Sequence, residues 1–324
     1  MGKLALSLAC WDTDRTRPLI DGRVQAEDID LRIEVLRPRD MFPRMLERQE
    51  FDCSELSLAS LASLIGRDAC PFVALPVPLS KLFRHSCIYV RADAGISAPA
   101  DLMGKRVGTT QYGSTAVVFM RGMLHDDYKI EARDMRWFMG GLDAPTEAPL
   151  IPLNLPPEIR LDALRMGDTL DAMLKRGDLD ALFSIYLPKM FVEKSPQLTR
   201  LFPDYRRAEE NWWRRTGVFP IMHALAMRKE KHQAHPWAAA SLYNAFRRAR
   251  DLALEDLYDT DSLRVALPWL IHHVEEARSV FGQDYWAYGF KANQATAAAL
   301  GRYVYEQGLS PRVVRPEEIF LPLE

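Results

Sequence analysis

The 324-residue chain lacks a charge excess of either sign and a long hydrophobic run. Lys and Arg number 42 against 44 Asp and Glu, a net charge of −2, without the basic excess that nucleic-acid binding usually demands. No stretch of the sequence approaches the ~18–20 apolar residues of a membrane span. We therefore expect no nucleic-acid partner and no membrane partner.

A disulfide framework is missing as well. The four cysteines show no CxxC spacing and each lies in or beside an apolar run: Cys10, Cys53, Cys70 and Cys87. This placement is typical of buried reduced thiols. The apolar run within KLALSLAC (3–10) is shorter than the roughly 7–15 residues of the hydrophobic region of a signal peptide, and Ser7 and Leu8 fit poorly before a lipid-modified Cys10. We predict a first β-strand there and a cytoplasmic protein.

What the chain does have is an alternation of short apolar runs and helical patterns, which predicts parallel βαβ units. A strand is expected at 31–37, a helix at 38–48, and a strand at Phe51 and Asp52 that leads into a helix beginning at Ser54. A second βαβ series starts near Gly95, with a helix that begins near Ser114 and a proline-rich loop at 144–158. A further helix is predicted at 170–175, and it ends at Gly177, which is suited to a left-handed cap. From Pro236 onward the pattern is helical. The length suits two domains at roughly 100–200 residues each.

Two stretches, FRHSCIYVR (83–91) and FPIMHALAMR (219–228), read as strands with a histidine near the start of an apolar run. If both are crossover segments between two α/β lobes, His85 and His223 face one inter-lobe cleft. The predicted lobes are residues 1–88 with 222–324, and residues 89–221. A hydrogen-bonded core histidine is the alternative for each.

This order of lobe, crossover, lobe, crossover and carboxyl-terminal helical layer resembles the α/β type II periplasmic-binding-protein fold, as does DLMGKRVG at Asp101. Longer stretches resemble one enzyme family on that fold, the 4,5-dihydroxyphthalate decarboxylases. They are DRTRPL at Asp14, SELSLAS at Ser54, FRHSCIYVR at Phe83, YGSTAVVFMRGML at Tyr112, LFPDYRRAEENWWRRTGVFPIMH at Leu201, PWAAASLYNAF at Pro236, YWAYGF at Tyr285 and YEQGL at Tyr305. One departure is Cys10-Trp11-Asp12, where the resemblance leads us to expect a tyrosine-rich turn.

Ligands of open α/β sheets lie beyond the carboxyl ends of the strands. After the first strand, Arg15 and Arg17 offer guanidinium groups suited to bidentate carboxylate binding, although a solvated loop explains them equally well. Ser54 is either a helix N-cap or part of an anion site at a helix amino terminus. Glu55 stands beside it.

A hydroxyl-rich segment precedes the expected helix of the second lobe and has more hydroxyl groups than capping requires. Its members are Thr109, Thr110, Tyr112, Ser114 and Thr115. We predict that they contact a ligand. Among the aromatic residues, Trp286 is the preferred candidate for stacking on a planar ring, although core packing is the ordinary role of any one of them.

The resemblance implies loss of CO2 from 4,5-dihydroxyphthalate, giving protocatechuate, without an organic cofactor. Each carboxylate of this substrate is para to a hydroxyl, so ionising the hydroxyl prepares the ring carbon for protonation and CO2 loss. In this hypothesis His85 and His223 are acid and base in unspecified order, and Ser86, next to His85, contacts the substrate. Glu55 orients or donates a proton. Arg15 and Arg17 hold the dianion.

Alternatives remain open at the level of sequence. His85, His223 and Glu55 could hold a divalent metal. A solute-binding protein for a small aromatic acid is the leading non-enzyme alternative, and a lyase of another cyclic carboxylate is a third. The segment NWWRRTGVF at Asn211 is either a homo-oligomer interface or packed within its lobe.

Overall fold

The structure is a computed structural model that describes residues 2–144 and 148–324. The described strands are β1 (Leu4–Cys10), β2 (Ile29–Val35), β3 (Cys53–Ser57), β4 (Phe72–Lys81), β5 (Ile88–Arg91), β6 (Arg106–Thr109), β7 (Arg136–Met139), β8 (Leu161–Ala163), β9 (Ala181–Phe183), β10 (Leu198–Arg200) and β11 (Ile221–Arg228). The described helices are α1 (Arg17–Ile20), α2 (Pro38–Arg48), α3 (Leu58–Gly66), α4 (Thr115–Tyr128), α5 (Leu170–Arg176), α6 (Lys189–Val192), α7 (Tyr205–Thr216), α8 (Lys229–Ala234), α9 (Trp237–Asp256), α10 (Leu270–Phe281), α11 (Phe290–Glu306) and α12 (Pro316–Ile319).

The first sheet has the strand order β2-β1-β3-β11-β4. β1 is parallel to β2 and β3, whereas β11 runs antiparallel to both β3 and β4. The carboxyl ends of β1, β3 and β4 therefore meet the amino end of β11 at one edge of the sheet. Loops at such an edge are the usual place for a ligand.

The second sheet has the order β10-β5-β9-β6-β7-β8, with β6 parallel to β7 and β9. The chain passes from the first sheet to the second between Lys81 and Ile88, and returns between Arg200 and Ile221. The predicted two-lobed α/β fold with two crossovers is confirmed. The carboxyl-terminal helices return to the first sheet, where Leu242 and Phe246 of α9 pack against Leu75 and Leu225.

The opposite side of the first sheet joins the larger core. There Leu56 and Ala224 are buried together with residues of α3, α4 and α11. Gly122 lets α4 and α11 approach closely, because a Cβ at this position would lie 2.4 Å from the ring of Tyr303. The packing of α4 against a helix of the carboxyl-terminal layer fixes one face of the second lobe on the first.

Several local predictions are confirmed. Helix α2 has the predicted bounds, and α4 begins at the predicted position, with Ser114 as the N-cap that accepts a hydrogen bond from the Val117 N–H. Gly177 ends α5 with φ of 83°, the left-handed conformation that glycine adopts without strain. The predicted proline-rich loop at 144–158 has no helix or strand where it is described, and its residues 145–147 lie outside the described residues.

Other local predictions are wrong. His85 does not lie on a strand, because 85–87 forms a 3₁₀ turn before β5 begins. Ser54 is not a helix cap, since β3 runs directly into α3 and Ser57 is the N-cap.

The segment NWWRRTGVF lies largely in α7, where Trp212 is buried and the Trp213 indole N–H donates to the Val280 carbonyl. Both tryptophans thus pack within the chain. No helix in the described ranges is both long and apolar enough to cross a membrane.

Candidate active site

Four strand ends bring polar side chains to one edge of the first sheet. Trp11 and the loop after it follow β1, Glu55 lies near the end of β3, Lys81 ends β4, and His223 is near the start of β11. His223 is the backbone partner of Ser57 on one side and of Ser80 on the other. The candidate site is built on this edge.

Glu55 and His223 form the central pair. Glu55 Oε1 lies 2.7 Å from His223 Nδ1, and the Trp11 backbone N–H donates to Glu55 Oε2 across 3.0 Å. Because an ionised carboxylate can only accept, Nδ1 carries a proton and Nε2 is left to exchange one with a ligand. The Glu55 side chain is buried, whereas that of His223 is 23% exposed. Phe42 packs edge-on to the imidazole at 4.9 Å.

Arg15 lies beside this pair, stacked on an aromatic ring. Its guanidinium carbon is 4.2 Å from the centre of the Trp286 ring, and its Nη2 donates to the Leu79 carbonyl across 3.1 Å. The Trp286 indole N–H donates to the Pro78 carbonyl, so both groups are fixed to β4. Arg15 also pairs with Asp14. The structure thus brings Arg15 and Trp286 together, as a cation held over a flat surface.

Arg17 is placed differently from Arg15. It is the first residue of α1, its side chain is 56% exposed, and it forms an ion pair with Asp12. An exposed pair of this kind contributes little to stability. The sequence pattern gave the two arginines the same expected role, but Arg15 is half-buried and Arg17 is exposed to solvent.

Lys81 is a candidate that sequence reasoning missed. It is buried at the end of β4, with Nζ 4.4 Å from the centre of the Phe219 ring. Burial lowers the pKa of Lys81 to about 7, with Arg250 acting in the same direction and Asp284 opposing it. The sequence does contain one signal for this residue, a lysine at the end of a ten-residue apolar strand. A charged side chain is rarely buried at such a position unless it has a partner.

The hydroxyl-rich loop after β6 divides into two groups. Thr110 and Ser114 are half-buried in the loop and the cap of α4, at the carboxyl edge of the second sheet. Thr115 is buried, its Oγ1 accepts from the Ala59 N–H, and it shares a hydrogen bond with Ser57 Oγ at 3.0 Å. Thr115 thus joins α4 of the second lobe to α3 of the first.

Two predicted ligand contacts lie in the core. Tyr112 is fully buried, with the Arg121 guanidinium 3.7 Å from its ring centre and its hydroxyl donating to the Gln307 carbonyl. Ser54 is also fully buried, and its hydroxyl donates to the backbone carbonyl of Glu55. Their polar atoms are already occupied inside the protein, away from a ligand-accessible surface.

His85 lies beneath α7 and not beside Glu55. Its ring packs against Phe202 and Trp212, and its Nδ1 is 3.8 Å from Glu209 Oε1. Burial lowers the pKa of His85 to about 4, and burial raises the pKa of Glu209 to about 7. No hydrogen bond or ring contact joins His85 to His223 in the ranges that the structure describes. Ser86, next to His85, accepts a hydrogen bond from Arg200 at its backbone carbonyl.

A separate cavity of about 390 Å³ adjoins His85 between α4 and α7. Among the described residues, His85 Nδ1, Trp212 Nε1 and Asp127 Oδ1 on its wall have no hydrogen-bond partner. Polar atoms of this kind in a polar cavity are ordinarily satisfied by water. Residues 2–144 and 148–324 contain no group of three or more His, Cys, Asp or Glu side chains that could hold a metal. The structure therefore does not assemble His85, His223 and Glu55 into a metal site.

Solved structures with the same fold cover nearly the whole chain. A sulfonate-binding SsuA protein from Methylobacillus flagellatus KT matches with a TM-score of 0.58 at 11% identity, covering 99% of this chain and 93% of its own. The aliphatic sulphonate binding protein SsuA from Escherichia coli matches with a TM-score of 0.53 at 13% identity, covering 98% of both chains. These neighbours confirm the periplasmic-binding-protein-like fold and nothing more, because identity is low. No protein-family model matches the chain.

Curated sequences are far more similar. A 4,5-dihydroxyphthalate decarboxylase from Comamonas testosteroni is 38% identical over 322 residues, covering 99% of this chain and 98% of the relative. A protein of the same name from Pseudomonas putida is 36% identical over 214 residues, covering 66% of this chain and 83% of the relative. Since the similarity extends from β1 through the carboxyl-terminal helices, this chain belongs to the 4,5-dihydroxyphthalate decarboxylase family.

Proposed function

We propose that this chain, a carboxy-lyase by its family, removes one carboxylate from 4,5-dihydroxyphthalate and yields protocatechuate and CO2 using its own side chains alone. The observation that carries the proposal is the Glu55–His223 pair, held at 2.7 Å at the carboxyl edge of the first sheet. A fixed imidazole is the group that proton transfer near neutral pH most often uses.

His223 is the proton donor to the ring carbon in this proposal. Glu55 fixes the Nδ1–H and stabilises the imidazolium, so that Nε2–H can deliver a proton to the carbon that bears the leaving carboxylate. The Trp11 N–H, bound to the second oxygen of Glu55, keeps the carboxylate in one orientation. The burial of Glu55 supports this role, because a water-exposed carboxylate orients its partner less firmly.

Arg15 and Trp286 hold the substrate in this proposal. The guanidinium receives the carboxylate that remains on the ring, which requires exchange with Asp14. The Trp286 face, stiffened by its hydrogen bond to Pro78, offers a flat surface for an aromatic ring. Thr110, Ser114 and Ser86 are proposed to close the cleft from the second lobe, in keeping with their position at its sheet edge.

Turnover by the purified protein tests the proposal. Incubation with 4,5-dihydroxyphthalate should release CO2 and protocatechuate in equal amounts. Phthalate, which lacks both hydroxyls, should bind without turnover, because its ring carbon has no para oxygen to donate electrons. Equal CO2 release from the two compounds would contradict the mechanism, and tight binding of the dihydroxy acid without turnover would favour a solute receptor.

The cellular setting belongs to the same proposal. A cytoplasmic location is supported by the four cysteines, all of which are buried and free of disulfides. Assembly into a homo-oligomer stays a prediction.

A further inference from the structure

Lys81 is buried on the edge that carries the proposed acid. Ser80 is the backbone partner of His223, so Lys81 lies one residue beyond that pairing. The residue is 8% exposed, and in residues 2–144 and 148–324 its ammonium has neither a hydrogen-bond nor an ion-pair partner. An isolated charge buried in this way costs free energy. A side chain kept at that cost, beside a candidate catalytic pair, points to a chemical role.

The charged groups around Lys81 do not neutralise it. The Asp284 carboxylate attracts the Lys81 ammonium and so favours its charged form, but Asp284 forms an ion pair with Arg250 at 3.3 Å. The Arg250 guanidinium repels the ammonium and favours the neutral amine. Other titratable or charged groups on this edge include Glu55, His223, and Arg15 with its partner Asp14. Burial lowers the pKa of Lys81 to about 7, so a substantial fraction is the neutral amine near neutral pH. A neutral amine can accept a proton.

Aromatic contacts connect Lys81 to the proposed substrate surface. Its Nζ lies over Phe219, and the Phe219 ring meets Trp286 edge-on at 6.0 Å. Trp286 in turn carries the Arg15 guanidinium. The Arg15 guanidinium and the Lys81 ammonium thus each contact one ring of the Trp286–Phe219 pair.

We propose that Lys81 is the general base of the decarboxylation and removes the proton from the hydroxyl para to the leaving carboxylate. This inference rests on the proposed function. Deprotonation of the phenol requires a base whose pKa lies near the working pH. Burial of a lysine away from water is one way to bring its pKa into that range. It also gives the reaction separate acid and base groups, His223 and Lys81.

The step balances without an oxidant or a co-reactant. The phenol O–H bond breaks and an N–H bond forms on Lys81, while the oxygen electrons move into the ring toward the para carbon. That carbon takes a proton from the His223 imidazolium. The C–C bond to the carboxylate then breaks, and its electrons restore the aromatic ring as CO2 leaves. Lys81 returns its proton to the phenolate, and His223 takes one from solvent.

The first test compares Lys81→Met with Lys105→Met. Lys105 is a half-buried lysine whose Nζ donates to the Ala94 carbonyl, remote from this edge in sequence and fold. Lys81→Met should lower kcat by ~10²–10⁴-fold, whereas Lys105→Met should leave it unchanged. Alkylating Lys81→Cys with 2-bromoethylamine should restore turnover, with the acid limb of the kcat/KM profile displaced to lower pH. Activity of Lys81→Met within tenfold of wild type would overturn the inference.

The second test does not depend on turnover. Limited acetylation across pH, read by peptide mass mapping, should give Lys81 a reactivity midpoint near 7, well below the ~10.4 of a lysine in a model peptide. 4,5-Dihydroxyphthalate or phthalate should protect Lys81. A midpoint near 10, or no protection by either compound, would refute the base role. Wild type without turnover but with protected Lys81 would instead refute the proposed substrate and retain Lys81 as a ligand contact.

Discussion

The two histidine-bearing stretches are alike in sequence and differ in their surroundings. His223 is partly exposed, its Nδ1 is bound to Glu55, and both oxygens of that carboxylate are fixed. His85 is 3% exposed, and its nearest carboxylate oxygen, on Glu209, lies 3.8 Å away. A position in a crossover segment is therefore not enough to make a histidine a proton-transfer group. The side chain also needs a hydrogen-bonded carboxylate and access to a ligand.

The largest expected effect comes from replacing each histidine by glutamine. His223→Gln should lower kcat by ~10²–10⁴-fold, because glutamine cannot carry the transferred proton. His85→Gln should keep kcat within about tenfold of wild type, since His85 packs under α7 and its pKa of about 4 leaves it uncharged near neutral pH. Steady-state CO2 release measures both, and circular dichroism controls for folding. A larger loss in His85→Gln than in His223→Gln would reverse the comparison.

The next effect separates the two arginines. Arg15→Met should raise KM by ~10–100-fold, the equivalent of one charge-assisted hydrogen bond of about 1.5–3 kcal/mol. Arg17→Met is the matched control, and KM should change by less than about twofold because Arg17 is exposed and pairs with Asp12. Initial rates across substrate concentrations give both values. Equal changes in KM would remove the reason for assigning the carboxylate to Arg15.

The smallest effect is on stability and concerns the His85 side. Burial raises the pKa of Glu209 to about 7 from 4.5, so between these values the folded chain holds more protons than the unfolded chain. The free energy of unfolding therefore falls as pH rises through this window. The lowered pKa of His85 acts oppositely between about 4 and 6.5, where stability rises with pH.

Glu209→Gln removes only the first contribution. Relative to wild type, the variant should gain free energy of unfolding on going from about pH 5 to about pH 8. Urea unfolding at the two pH values measures this difference, and CO2 release should change little. A constant difference between variant and wild type would mean that Glu209 titrates normally in the folded chain.

Much of the fold could be predicted because its signals are local. The bounds of α2, the Ser114 cap and the left-handed Gly177 each depend on a few neighbouring residues. β3 was misread for the same reason: it is five residues long and passes into α3 without a loop, so Ser54 looked like a cap. Local patterns cannot separate a short strand from the helix that follows it.

The candidate site was only partly predictable. His223, Glu55, Arg15 and Trp286 were named from sequence, and the structure places them along one edge. Tyr112 lies in the core because Arg121, a residue of α4, packs against its ring. Lys81 was missed because its significance depends on burial and on the absence of a counter-ion among the described residues, which arise only when β4 and β11 pair. Such non-local properties have no short-range signature.

The hydrogen bond that holds the second oxygen of Glu55 comes from the Trp11 backbone amide and not from a side chain. The donor belongs to the main chain, so any residue except proline at position 11 can supply it. The Trp11 side chain therefore takes no part in this contact with the Glu55 carboxylate. The Trp11 side chain instead packs against the larger core, with the Arg37 guanidinium carbon 5.5 Å from its ring centre. Substitution of Trp11 by any residue other than proline should therefore alter this packing and leave the hydrogen bond to Glu55 in place.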